Sequence, residues 1–196
     1  PLGNTAKECI KEIEQTVSKD LTDLLKGNVT CEFFNTSFSP EYGFEGFIHL
    51  SQVTDLDDIE FTSYHSDASQ LEVVKVEEGK TTLKVHSDLL RSNCRVTNQP
   101  DWGDLFIEIK GDQIPTSDSL ARYIVSHRQV SHFHEEIVEM VFTHLMQACK
   151  PEKLMVCALY TRRGGIDINP IRATHQDMVP AWMTDPSMRL RKTLRQ

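Results

Sequence analysis

Cys94 stands in the run Arg91-Ser92-Asn93-Cys94-Arg95, with Asp101 seven residues on and Pro100-Asp101-Trp102-Gly103 closing the stretch. A thiol attacks as its thiolate, which requires partial exposure and a neighbouring bias toward negative charge. Arg91 and Arg95 are candidates to supply that bias, and Asp101 is close enough in sequence to move protons. The same residues also describe an inert, small apolar thiol, the ordinary state of a lone cysteine, and alone they favour that reading. Cys149 and Cys157 lie in apolar runs and read as inert.

Three histidines, His127, His132 and His134, fall within eight residues and precede Glu135 and Glu136. With Cys94, His132 and His134 form a plausible zinc ligand set. Alternatively, Glu135 accepts hydrogen bonds from a nucleobase-like heterocycle that His134 positions or protonates. A third reading is a polar helix start, with Glu135 and Glu136 matched to the helix dipole. The residues leave all three open.

The third segment is Thr161-Arg162-Arg163-Gly164-Gly165-Ile166-Asp167-Ile168-Asn169-Pro170-Ile171-Arg172. Paired arginines before two glycines allow guanidinium and backbone groups to approach a phosphate closely. An arginine cluster also suits the 2′-phosphate of NADP. A solvated strand end followed by a turn is the plain rival. No Gly-x-Gly-x-x-Gly or Gly-x-x-x-x-Gly-Lys-Ser/Thr run is present, which argues against a Rossmann domain or a P-loop.

The elements that must hold these segments follow from periodicity. Residues 5–26 predict an amphipathic helix, with Ile10, Ile13, Val17, Leu21 and Leu24 at helical spacing and Gly27 as the stop. A strand is expected over 28–35, and mostly loop over 36–69. Residues 71–77 and 81–86 flank Glu78-Gly79-Lys80 and read as a hairpin. Turn formers crowd residues 87–103, which read as loop, while 104–110 reads as a strand. Helices are expected over 117–128 and 133–149, the second stopped by Lys150-Pro151. Leu154–Tyr160 reads as a buried strand, with a further strand possible near the end. Paired strands followed by paired helices imply an α+β fold with an antiparallel sheet.

Composition narrows the function classes. Of 196 residues, 39% are hydrophobic and 26% charged, an ordinary globular mix. No apolar run reaches the ~20 residues of a membrane helix. The first residues show neither the charged nor the apolar region of a secretory signal. Five scattered cysteines without a Cys-x-x-Cys pair suit a reducing, cytoplasmic setting better than a disulfide framework. The net charge of −8 is uneven: residues 161–196 hold seven Lys or Arg against three Asp, so the preceding 160 residues carry −12. An acidic body disfavours non-specific nucleic-acid binding, while the basic tail offers a local seat for an anion.

Taken together, the three segments resemble the NADPH-dependent 7-cyano-7-deazaguanine reductases of queuosine biosynthesis. Ser92-Asn93-Cys94 through Gln99-Pro100-Asp101-Trp102-Gly103, then Phe133-His134-Glu135, then Tyr160-Thr161-Arg162-Arg163-Gly164-Gly165-Ile166-Asp167-Ile168-Asn169-Pro170 occur in that family's order. The likeness covers about residues 55–196 well and 5–54 more loosely, and is greatest to the long, two-module form. It implies a tunnelling fold (T-fold) with paired helices on one face of the sheet. It further implies reduction of a nitrile to a primary amine by two NADPH, without a metal.

Carried over by position, Cys94 would form a covalent thioimide and Asp101 would be its proton donor. His134 and Glu135 would bind the deazaguanine, and Arg163 and Gly164 would contact NADPH, with Arg162 nearby. The expected partner is the small-molecule nitrile, in a cytoplasmic homo-oligomer that binds neither nucleic acid nor membrane directly. Residues 1–69 would be the remnant of a first module and 70–196 the catalytic module. The Glu-Ser-Lys-Ser-like motif of the two-module enzymes is absent, so part of the N-terminal half is expected to be missing from this chain. Two other classes remain: a zinc-dependent pterin or cyclohydrolase-type enzyme on the same fold, and a non-catalytic purine-binding remnant.

Overall fold

The computed structural model describes residues 6–33, 44, 46–76 and 81–184. The chain divides into two compact units, Pro1–Ser39 and Pro40–Gln196. In the sequence the boundary reads at 69/70. Leu56, Ile59 and Phe61, however, pack against the core of the second unit, in which Leu50 is itself buried.

The first unit contains helix α1 (Ala6–Leu25), close to the predicted span. The strand expected over 28–35 does not form over residues 28–33, and 34–35 lie outside the described residues. Its alternation has another use. The N–H groups of Val29, Cys31 and Phe33 donate to Thr22 Oγ1 (3.1 Å), Ser18 Oγ (2.8 Å) and Glu14 Oε1 (2.8 Å). Residues 14, 18 and 22 form one stripe on a helix, so its side chains supply the acceptors a neighbouring strand would.

The second unit is α+β. Its main sheet has strand order β1 (Ile48–His49), β3 (Thr81–Asn93), β4 (Pro100–Gly111), β6 (Lys153–Tyr160) and β7 (Ile171–Ala173). All neighbours are antiparallel except β1 and β3. Between β4 and β6 run β5 (Gln113–Pro115), α2 (Ser117–Val125) and α3 (His134–Cys149).

Two expectations fail here. Residues 87–93 and 100–103 extend β3 and β4, so the loop shrinks to 94–99. Turn-forming side chains are tolerated because pairing continues past a bulge between Ser87 and Leu90, with Arg91 opposite Trp102 and Ser92 opposite Asp101. Among the described residues, 71–76 do not pair with 81–86 as the expected hairpin requires. Strand β2 (Val73–Lys75) pairs instead with β5, and residues 77–80 lie outside the described residues.

Alternation along the strands sorts side chains between two cores. Leu105, Ile107 and Ile109 of β4, with Leu154, Val156, Ala158 and Tyr160 of β6, face α2 and α3. Phe106, Met155, Cys157 and Leu159 face the other way, against Met178 and Trp182. This is why 154–160 reads as a continuous apolar run: both faces of β6 are covered. Helix α3 buries Ile137, Val141 and Leu145, each worth about 1.5–3 kcal/mol of transfer free energy. It ends at Lys150, which takes a left-handed conformation (φ 46°) before Pro151.

Candidate active site

The sheet delivers three segments to one end. Asn93 and Pro100, the last paired residues of β3 and β4, bracket the loop 94–99. The loop closes on itself: Cys94 N–H donates to the Gln99 carbonyl and Asn98 N–H to the Cys94 carbonyl, both at 2.8 Å. Asn98 supplies the left-handed residue (φ 54°) that the tight path requires.

Cys94 is half-buried in this loop. Its thiol is held below the ordinary thiol range, first by the Thr97 hydroxyl, then by the Thr97 and Val96 amides; burial and the Asp101 charge oppose them. The arginines are not the cause. Arg91 donates to the Arg128 carbonyl at 2.5 Å and lies over the Trp102 ring. Arg95 pairs with Glu136 at 2.9 Å and reaches His132 at 2.8 Å. Donors within the loop, rather than Arg91 or Arg95, bias the sulfur toward thiolate.

Asp101 is 1% exposed and joins the other two segments. Arg163 Nε donates to its Oδ1 at 2.7 Å, and Nη2 contacts the same oxygen. His134 Nε2 stands 3.3 Å from Oδ2. His134 is the first residue of α3 and is itself buried. Its ring lies on Tyr160, and Tyr160 is seated against Gly103, where an added Cβ would meet the ring at 3.1 Å. Burial, followed by the charges of Asp101 and Glu135, pushes the Tyr160 phenol up, while a bond to Ser92 opposes them. Glu135, next on α3, is exposed.

Arg163 does not extend toward solvent as an outer phosphate ligand would. It also donates to the Gln99 carbonyl (3.2 Å), the Pro100 carbonyl (3.1 Å) and Gln99 Oε1. Arg162 forms a two-point pair with Asp167 at 3.1 and 3.2 Å. Gly164 and Gly165 (φ 57° and 82°) make the two-residue turn between Arg163 and Ile166, a conformation that favours glycine at both positions. Nothing lies within 4 Å of where a Cβ would sit on either glycine, so the turn's backbone is open to an approaching group.

The histidines separate. His134 enters the site, His132 pairs with Arg95 and Glu136, and His127 is buried against the Tyr123 carbonyl (3.0 Å). Burial drives the His127 imidazole down to about 4. Among the described residues no three His, Cys, Asp or Glu side chains converge as a metal-binding group. Cys94, His132 and His134 are therefore not assembled as a zinc ligand set.

Asp101, His134, Glu135, Arg163 and Gly164 all lie in one stretch with a known likeness. Residues 100–178 match the family described as QueF-like protein. Cys94 lies just before this QueF-like segment. A solved structure described as the archaeosine synthase QueF-Like in the apo form is also similar. It is 16% identical, covers 54% of this chain and 100% of that one, and has a TM-score of 0.44.

The structure thus brings Asp101, His134 and Arg163 of the QueF-like segment into direct contact beside Cys94. Thr97, Gln99, Tyr160 and Gly103 complete the surroundings, and the sequence alone assigns them no role. Gln99, Gly103 and Tyr160 sit inside the segments that carry the family resemblance, which is the signal the sequence offers for them. Thr97 carries none beyond its nearness to Cys94.

Among the described residues no helix is long and apolar enough to cross a membrane.

Proposed function

We propose that this chain carries the catalytic module of an NADPH-dependent reductase that converts the nitrile of 7-cyano-7-deazaguanine to an aminomethyl group. The carrying observation is a thiol biased toward thiolate by Thr97 and Val96, set beside a buried Asp101 that contacts His134 and Arg163. The QueF-like match over residues 100–178 supports placing that chemistry in deazaguanine modification.

The Cys94 thiolate attacks the nitrile carbon and forms a C–S bond, while one C≡N π pair moves to nitrogen. Nitrogen takes a proton, giving a neutral thioimide. The Asp101–His134 pair is the proton source, its two groups already within 3.3 Å. Removing these groups from water keeps the proton path fixed and spares reorganisation during attack. Exposed Glu135 faces the heterocycle and accepts from its ring N–H and amino groups.

The residues present fit NADPH. The open Gly164–Gly165 turn admits a phosphate to backbone N–H groups, and Arg162 stands beside it in a surface pair that a phosphate can replace. When bound there, NADPH would supply the two hydrides that, with two protons, take the Cys94-bound carbon from the nitrile level to the amine and free the thiol.

Consumption of two NADPH per nitrile, lost in Cys94→Ala, tests this reading. Adduct formation without NADPH consumption would keep the nitrile chemistry and sink the reductase. Tight stoichiometric zinc in active protein would favour the cyclohydrolase-type alternative.

A further inference from the structure

We propose that Arg163 is a positioning residue for Cys94: one guanidinium ties buried Asp101 to the end of the Cys94 loop and thereby sets the reactivity of the thiol. The inference deepens the proposed reaction by assigning its nucleophile a support outside its own loop.

The connectivity is specific. Arg163 donates to Asp101 Oδ1, to the Gln99 and Pro100 carbonyls, and to the Gln99 side-chain amide oxygen. The Gln99 carbonyl it holds also accepts from Cys94 N–H, the bond that closes the loop. Fixing Gln99 therefore fixes the loop whose Thr97 and Val96 donors face the sulfur. A fork with several donors can satisfy these acceptors together, whereas an ammonium offers a single charged point.

Charge acts in the same direction. Asp101 opposes a thiolate at Cys94, and Arg163 pairs with that carboxylate and offsets its charge. Among the other charged groups near the site, Arg95 pairs with Glu136 and His132, and Arg91 is held at Arg128. On α3, His134 contacts Asp101, and Glu135 lies toward Tyr160. None of them replaces Arg163. Without it the loop loosens and the Asp101 charge goes uncompensated; both changes disfavour the thiolate.

The test is peptide-resolved alkylation of the chain by iodoacetamide across pH, comparing wild type with Arg163→Met and Arg163→Lys. It needs neither nitrile nor NADPH, so its failure is distinguishable from failure of the reductase reading. Cys9 and Cys31, both partly exposed in the first unit, serve as internal controls. In R163M the Cys94 rate at neutral pH should fall about tenfold, as expected when a thiol titration moves up by one pH unit. Its pH midpoint should rise while Cys9 and Cys31 are unchanged. R163K keeps a charge beside Asp101 without the fork, so it should lose part of the reactivity. It also tests the proposal should R163M fail to fold. An unchanged Cys94 rate and midpoint in a folded R163M, or in R163K if that variant alone folds, would overturn the proposal.

Discussion

His134 and Tyr160 stack face to face, with ring centroids 3.9 Å apart and planes within 8° of parallel. Tyr160 presses on Gly103, its register partner in β4, and His134 turns Nε2 toward Asp101. A backbone choice in one strand thereby sets the position of an imidazole at the start of a helix.

Gly103→Ala tests that chain of contacts. Its Cβ would lie 3.1–3.3 Å from three atoms of the Tyr160 ring, which is fully buried and has little room to yield. Overpacking of this kind costs about 1–3 kcal/mol, measurable as a lower urea midpoint. Displacement of the stack should also slow reaction of Cys94 with the nitrile. Tyr160→Phe keeps the ring and should preserve that rate far better than Tyr160→Leu.

Thr97→Val replaces a hydroxyl by a methyl of similar size. Because the Thr97 hydroxyl is the leading influence holding the Cys94 thiol low, its loss should raise the midpoint of the pH–alkylation curve. Below the wild-type midpoint the thiol is protonated in both proteins. The two curves should therefore separate most between the two midpoints and converge at high pH. Coincident curves would remove Thr97 from the account.

The core can be read in the sequence because it rests on local periodicity, and the candidate site residues because they stand in the three motif segments. Helix α3, its stop at Lys150-Pro151 and the apolar strand β6 announce themselves through contiguous residues. The ends of β3 and β4 do not. Ser92 and Asn93 are ordinary turn residues, extended here by distant partners: Asn93 N–H donates to the Val130 carbonyl, and His132 N–H donates to the Asn93 carbonyl. The pairing of β2 with β5 is likewise absent from local pattern. For the same reason Arg95, adjacent to Cys94 in sequence, acts elsewhere, while Arg163 arrives from another strand's end.

His127 predicts a loss of stability in acid. Burial holds its imidazole down to about 4, against an ordinary value of 6.5, so the folded state prefers it neutral. The stabilisation is complete above 6.5 and is lost as pH falls from 6.5 toward 4, on the order of 3 kcal/mol in all. Urea midpoints at neutral pH and near pH 4.5 should differ more for wild type than for His127→Gln. An equal difference in the two proteins would contradict the assignment.

Asp101→Asn removes the carboxylate but keeps its shape. It should slow formation of the nitrile adduct about tenfold to a thousandfold, within the range of general acid–base catalysis, and weaken heterocycle binding much less. Rates from rapid-mix mass spectrometry and affinity from calorimetry on a Cys94→Ala background separate the two effects. A loss confined to affinity would make Asp101 a binding group.

The most direct test of the account is intact-protein mass spectrometry after incubation with 7-cyano-7-deazaguanine in the absence of NADPH. The account predicts a mass gain of one nitrile molecule on the chain, mapping to Cys94 and absent from Cys94→Ala. An unmodified mass from folded protein, or an adduct that persists in Cys94→Ala, would contradict it.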